Sequence, residues 1–251
     1  MGSEKGEEMK RGKLHRKKFH LVLIVVFAVL LSTLTSIRAV ADDSKEAAQL
    51  IEKARMTFRN FMTASDTEAF RNLMKSARGV FICPQVLKGA FLVGVSGGSG
   101  VFLAFDSKTG NWSEPAFYTM GEVSFGIQAG GKASEIILLA MTDRGVNAFL
   151  SNSLKLGVDA GIAAGPVGIG AEAATANLSA DIVSYSLSQG LFGGISLEGA
   201  VITTRNGWNQ AYYGQATTPR DILVLHNVSN PQASGLVQDV SAASLGQYKA
   251  K

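Results

Sequence analysis

Few residues in this chain are of a type and spacing that could do covalent chemistry. Gly94-Val-Ser-Gly-Gly98 matches the G-x-S-x-G pattern that presents a nucleophilic serine on a sharp turn, and the order Ser96, Asp159 or Asp221, then His226 fits a hydrolytic triad. That turn needs a strand before it and a helix after it. Ser96 instead sits in a glycine tract between two apolar, β-rich runs, so a bulged strand connection accounts for it better. Gly94, Gly97, Gly98 and Gly100 are also wrongly spaced for a dinucleotide loop, and no helix follows them. Beyond residue 41 the sole histidine is His226, and Cys83 is the sole cysteine of the chain, so a zinc site would need carboxylates to complete it. Asp106, Ser107 and Asn111 could bracket calcium, but they do not match the EF-hand pattern and read as a hairpin turn. Cys83, between Ile82 and Pro84, reads as a small buried hydrophobe. No catalytic residue, cofactor or metal is expected.

Binding chemistry is better supplied. Ala47, Ile51, Ala54, Phe58 and Phe61 form one stripe of an amphipathic helix over 44–62, flanked by Lys45, Lys53, Arg55 and Arg59, with Glu46 and Glu52 among them. Such a helix can lie in a lipid interface with its cations at headgroup phosphates, or it can pack on a sheet with its charges solvated. Asp159 and Glu198 lie in apolar, small-residue segments, where a buried carboxylate must be paired or hydrogen-bonded. They read as a paired lock between two strands, with a polar site at the sheet end as the alternative.

The elements that must position these residues are legible in outline. Ser44 is placed to cap the first helix, and a second helix follows Ser65-Asp-Thr-Glu68, which has capping-box spacing, and runs to Gly79. Strands are expected at Val80–Cys83, Phe91–Val93, Val101–Phe105, Glu135–Ala140, Ile182–Leu187 and Ile195–Thr204. A hairpin turn is expected over 106–111, and another at Asn206-Gly207 leading into a strand over Trp208–Tyr213. Thr142 caps a short helix to Leu150, glycines make 157–170 non-helical, and helices return at Pro219–Leu225 and Ala233–Leu245. The fold class is α+β: N-terminal helices (44–78) and a C-terminal helical part (219–246) on a glycine-rich, mostly antiparallel sheet (79–214) curled into a sandwich or barrel.

Residues 1–41 are a different object. A basic stretch, Lys10 to Lys18, precedes the apolar run Leu21–Leu31, and Ala39-Val-Ala41 is an A-x-A cleavage pattern. A cleaved signal peptide is expected, with an uncleaved N-terminal anchor as the alternative. This segment holds eight of the 24 basic and three of the 20 acidic residues, leaving 16 and 17 in 42–251, a formal net charge of −1. The overall positive charge therefore belongs to the leader, and no nucleic-acid partner is expected. About 210 remaining residues suit one domain.

Six motifs taken together carry a resemblance: AFLVGVSGGSGVFLA (90–104), WSEPAF (112–117), GIQAGG (126–131), DAGIAAGPVG (159–168), YSLSQGLFGGISLEG (185–199) and YYG (212–214). In this order and spacing the chain resembles the SYLF domain over roughly residues 45–245. The resemblance implies a lipid-binding module acting partly through its N-terminal region. Here that would be a peripheral binder of anionic phospholipids at a bacterial envelope, in the periplasm. The actin binding of some eukaryotic members is not expected to carry over. A scaffolding role, binding another protein through the sheet edge, is the alternative.

Overall fold

A computed structural model describes residues 42–91, 93–124, 132–167, 179–188 and 190–249. The expected signal peptide, 1–41, and the whole GIQAGG motif, 126–131, lie outside the described residues. Helix α1 covers residues 42–63, and its expected stripe of Ala47, Ile51, Ala54, Phe58 and Phe61 is buried throughout. Ser44 lies inside this helix and so does not cap it. Helix α2 is Glu68–Met74, shorter than the spacing predicts. It starts from Thr67 without a side-chain cap, because Asp66 turns the chain at φ 59° and no Ser65–Glu68 box forms.

The strands are β1 Gly79–Phe91, β2 Val93–Asp106, β3 Asn111–Trp112, β4 Ala116–Ser124, β5 Lys132–Ala140, β6 Ser153–Lys155, β7 Ile162–Ala164, β8 Ile182–Ser188, β9 Leu191–Gly194 and β10 Val201–Thr204. Two short expected strands are thus parts of long ones, and the glycine tract 94–100 pairs as a strand along its whole length with β4. Helix α3 is Asp143–Ala148, capped by Thr142 as expected, through a bond from the Gly145 N–H. Helices α4 Asn206–Tyr213, α5 Pro219–Leu223 and α6 Ser234–Ser244 complete the chain. Two sequence expectations are overturned here. The segment 195–200 is loop, and Asn206-Gly207 opens a helix rather than a hairpin. Trp208 and Tyr212, one turn apart, both pack on Phe117, with ring centroids at 6.1 and 5.0 Å. Gly214, at φ 70°, then ends the helix in the left-handed region.

The described strands run β6-β10-β4-β2-β1-β5-β8-β7, antiparallel except for the β7–β8 pair. This order forces curvature. A flat sheet would put β6 and β7 about 34 Å apart, at about 4.8 Å per strand over seven steps. Lys155 and Ile162, at the facing ends of those strands, are linked by a chain that extends to about 25 Å at most. The sheet therefore curls into a half-barrel.

Both faces are buried, so the central strands read as continuous apolar runs. Val80, Ile82, Leu103, Ile137 and Leu139 pack with α1, α2, α4 and α6. Phe81, Phe102, Leu138 and Ile182 point to the other face, where Phe149 stacks on Phe102 at 3.9 Å and accepts the Tyr118 hydroxyl at 2.6 Å. Cys83 belongs to this second core. Strand β1 breaks register against both neighbours around Pro84 and Gln85, since proline has no N–H for the ladder.

Candidate binding surface beside the first helix

The four cations flanking α1 have different fates. Arg55 and Arg59 both donate to Asp239 of α6, with Nε–Oδ2 distances of 2.8 and 2.7 Å. A further bond runs from an Arg59 terminal nitrogen to Oδ1 at 3.3 Å. Asp239 is only 15% exposed, and its burial alone would raise its pKa. The bonds and charges of the two guanidiniums outweigh that burial and hold the carboxyl below its ordinary value. Lys45 and Lys53 are exposed.

Glu46, Gln49, Lys53, Met56, Asn60 and Thr63 form a second stripe on α1, and this one lines open space. Two hollows lie under it, of about 740 and about 330 Å³, sharing Lys53, Pro84 and Gln85. They exist because the break at Pro84 and Gln85 stops β1 from continuing flat beneath the helix. The lining carries exposed apolar side chains: Met56, 65% exposed, in the larger hollow and Leu87 in the smaller. Within the larger hollow the Glu135 carboxylate accepts the Thr57 hydroxyl at 2.8 Å and the Asn60 amide at 3.1 and 3.3 Å.

The other expected site residues fall elsewhere. Asp159 and Glu198 are exposed, so the burial read from their apolar neighbours is corrected. Asp159 Oδ2 closes its own turn by accepting the Lys155 N–H at 2.7 Å. Glu198 lies across Gly157, whose φ of 84° and lack of a side chain admit the Glu198 Cγ. The two turns do adjoin, through Gly199 N–H to the Leu156 carbonyl at 2.9 Å, but their carboxylates hold no common partner among the described residues. The apolar residues around them mark turns packed on the core by Leu156 and Leu197, with the acids turned outward.

Ser96 is a strand residue opposite Lys88 and Glu122, which is not the strand-to-helix turn a nucleophile needs. Asp106 spends its oxygens on its own hairpin, accepting the Lys108 N–H and the Thr109 hydroxyl, both at 2.9 Å. Burial pushes the Cys83 thiol up to about 12, which keeps it protonated.

Sequence reasoning missed two residues. In the sequence Glu135 marks only the start of a strand; its position two before Ile137, on the helix-facing side, is the available signal. Asp181 accepts the Thr142 hydroxyl at 2.6 Å and the Gly161 N–H at 2.9 Å, tying α3 to the end of β7. The Thr142 bond, with the Gly161 N–H and the Arg144 charge, lowers its pKa against the opposing effect of burial. Nothing local in the sequence announces that lock.

Comparison with known proteins adds to this geometry. A family model described as Ysc84, Las17-binding protein actin regulator, matches residues 121–243. The chain is 32% identical over 190 residues to LAS seventeen-binding protein 3 of Saccharomyces cerevisiae, covering 74% of this chain and 40% of that protein. It is 34% identical over 184 residues to SH3 domain-containing YSC84-like protein 1 of Bos taurus, covering 72% and 52%. Against the Homo sapiens protein of the same name the figures are 32% over 199 residues, 78% and 57%. The chain thus spans about half the length of the curated relatives it matches.

Proposed function

Since this chain belongs to the Ysc84 (SYLF) family, we propose that it is a non-enzymatic, peripheral membrane-binding module that docks on anionic phospholipid surfaces. The observation that carries this reading is the outward stripe of α1. It sets Lys53 and the 65%-exposed Met56 over open hollows, with the exposed Leu87 lining the smaller one. Cations at headgroup level beside protruding apolar side chains are what a surface needs in order to sit in a lipid interface.

The structure changes how that docking must work. The apolar stripe of α1 is core, so the helix binds as part of the folded domain and does not lay its apolar face in the bilayer. Arg55 and Arg59 are spent on Asp239, which leaves Lys45 and Lys53 as the headgroup cations of the expected four. The proposal includes export by residues 1–41 and a place at the cell envelope. The family description speaks of Las17 binding and actin regulation and one relative's name of LAS seventeen binding, and a protein partner for this chain is the second reading. Pairing through the sheet edge has little to stand on, because the terminal strands β6 and β7 are three residues each.

The test is co-sedimentation of residues 42–251 with phosphatidylglycerol and phosphatidylcholine vesicles at low and moderate salt. The apolar run 21–31 is omitted because it would partition by itself, and the described core begins only at Ala47. Binding to the anionic vesicles should weaken with salt, and by roughly fivefold for each of Lys45→Gln and Lys53→Gln. Equal binding by the double variant, or none by the native domain at low salt, would sink the reading.

A further inference from the structure

Lys53 and Glu135 line the same hollow of about 740 Å³, yet neither makes an ion pair among the described residues. Glu135 is not a loose surface acid. Thr57, itself only 1% exposed, and Asn60 both reach it from α1. Three bonds fix the carboxylate, two of them on Oε1, which leaves acceptor capacity on Oε2. A fixed anion and an exposed cation, lining one open space without pairing to each other, complement a ligand carrying an amine and a phosphate. Met56 and Leu187, which line the same hollow, supply an apolar wall for whatever continues from that phosphate.

We infer that this hollow takes the phosphoethanolamine headgroup of a membrane lipid, with its ammonium on Glu135, its phosphate on Lys53 and the first part of its chains against Met56 and Leu187. The inference rests on the phospholipid-surface reading and narrows it to one site. A primary ammonium has N–H groups to donate to Oε2, whereas a trimethylammonium has none. Choline recognition relies on aromatic faces, and no aromatic residue lines this hollow among the described residues. A serine headgroup would bring a second carboxylate towards Glu135 and be repelled.

The test compares residues 42–251 on vesicles of fixed phosphatidylglycerol content, with phosphatidylethanolamine replacing phosphatidylcholine. The replacement should raise affinity roughly three- to tenfold, the worth of one charge-assisted bond in an open site. Glu135→Gln keeps the shape and an acceptor for Thr57, and should abolish that increment while binding to phosphatidylglycerol is kept. Equal affinity for the two mixtures, or a preference that survives Glu135→Gln, overturns the inference and leaves the anionic-surface reading standing. A second measurement needs no variant: amide and side-chain NMR shifts at Thr57, Asn60 and Glu135 on titration with free phosphoethanolamine, against phosphocholine. Shifts with phosphoethanolamine and not with phosphocholine are the expected result. Equal shifts with both compounds, or none with either, would likewise overturn the inference.

Discussion

Replacing Asp239 by asparagine tests how α1 is held. The native carboxylate, 15% exposed, takes three N–H bonds from Arg55 and Arg59 across the interface between α1 and α6. Asparagine keeps the shape and one acceptor but removes the charge. Hydrogen bonds to charged groups contribute about 1.5–3 kcal/mol. The guanidiniums are 31% and 42% exposed, so solvent screening brings the expected loss to about 1–2 kcal/mol, assigned to the carboxylate. For a domain of this size that is a fall in Tm of about 2–8 °C. The pH dependence follows from the depressed pKa of Asp239. A carboxyl whose folded pKa lies below its unfolded value, about 4, stabilises fully above that value and stops doing so as pH falls through the folded one. Thermal melts should therefore show the whole gap between native protein and Asp239→Asn at pH 7, closing as pH is taken from about 4 downwards. A gap under about 1 °C at neutral pH, or one that persists unchanged in acid, would refute the two-arginine lock.

The same lock separates stability from binding. Arg55→Gln should lower Tm while leaving the affinity for anionic vesicles at low salt unchanged, the reverse of Lys53→Gln; vesicle co-sedimentation with a parallel melt decides. The Cys83 thiol, raised to about 12 by burial, should resist a thiol reagent at pH 8 in the native protein and react once the domain is unfolded in guanidinium. Gly98 meets the Gln85 carbonyl and the Cys83 sulfur where a Cβ would stand, so Gly98→Ala should force β2 away from the β1 break. A cost of about 1–3 kcal/mol, read by chemical denaturation, is expected, and a neutral result would mean the close approach is soft.

Local order was legible wherever a short stretch sets its own conformation. The repeat from Ala47 to Phe61, the Thr142 cap and the 106–111 turn depend on side chains within a few residues of each other. Each was found in place. The errors have the same origin seen from the other side. Asn206-Gly207 suits a hairpin locally, but Trp208 and Tyr212 share one partner, Phe117, and a helix satisfies both. Ser65–Glu68 has the spacing of a capping box, and the turn at Asp66 leaves no geometry for it. The apolar neighbours of Asp159 and Glu198 suggest burial, although a turn can bury its leucine and expose its acid.

By itself the sequence determined an α+β chain with an amphipathic helix leading a glycine-rich sheet. These properties rest on periodicity and residue type, which are read along the chain. Only the tertiary structure decided which cations stay free. Arg55 and Arg59 lie 184 and 180 residues from Asp239, and Thr57 lies 78 from Glu135. Such pairings are set by how the curled sheet and its helices pack, because a charge finds its partner through space and not along the sequence.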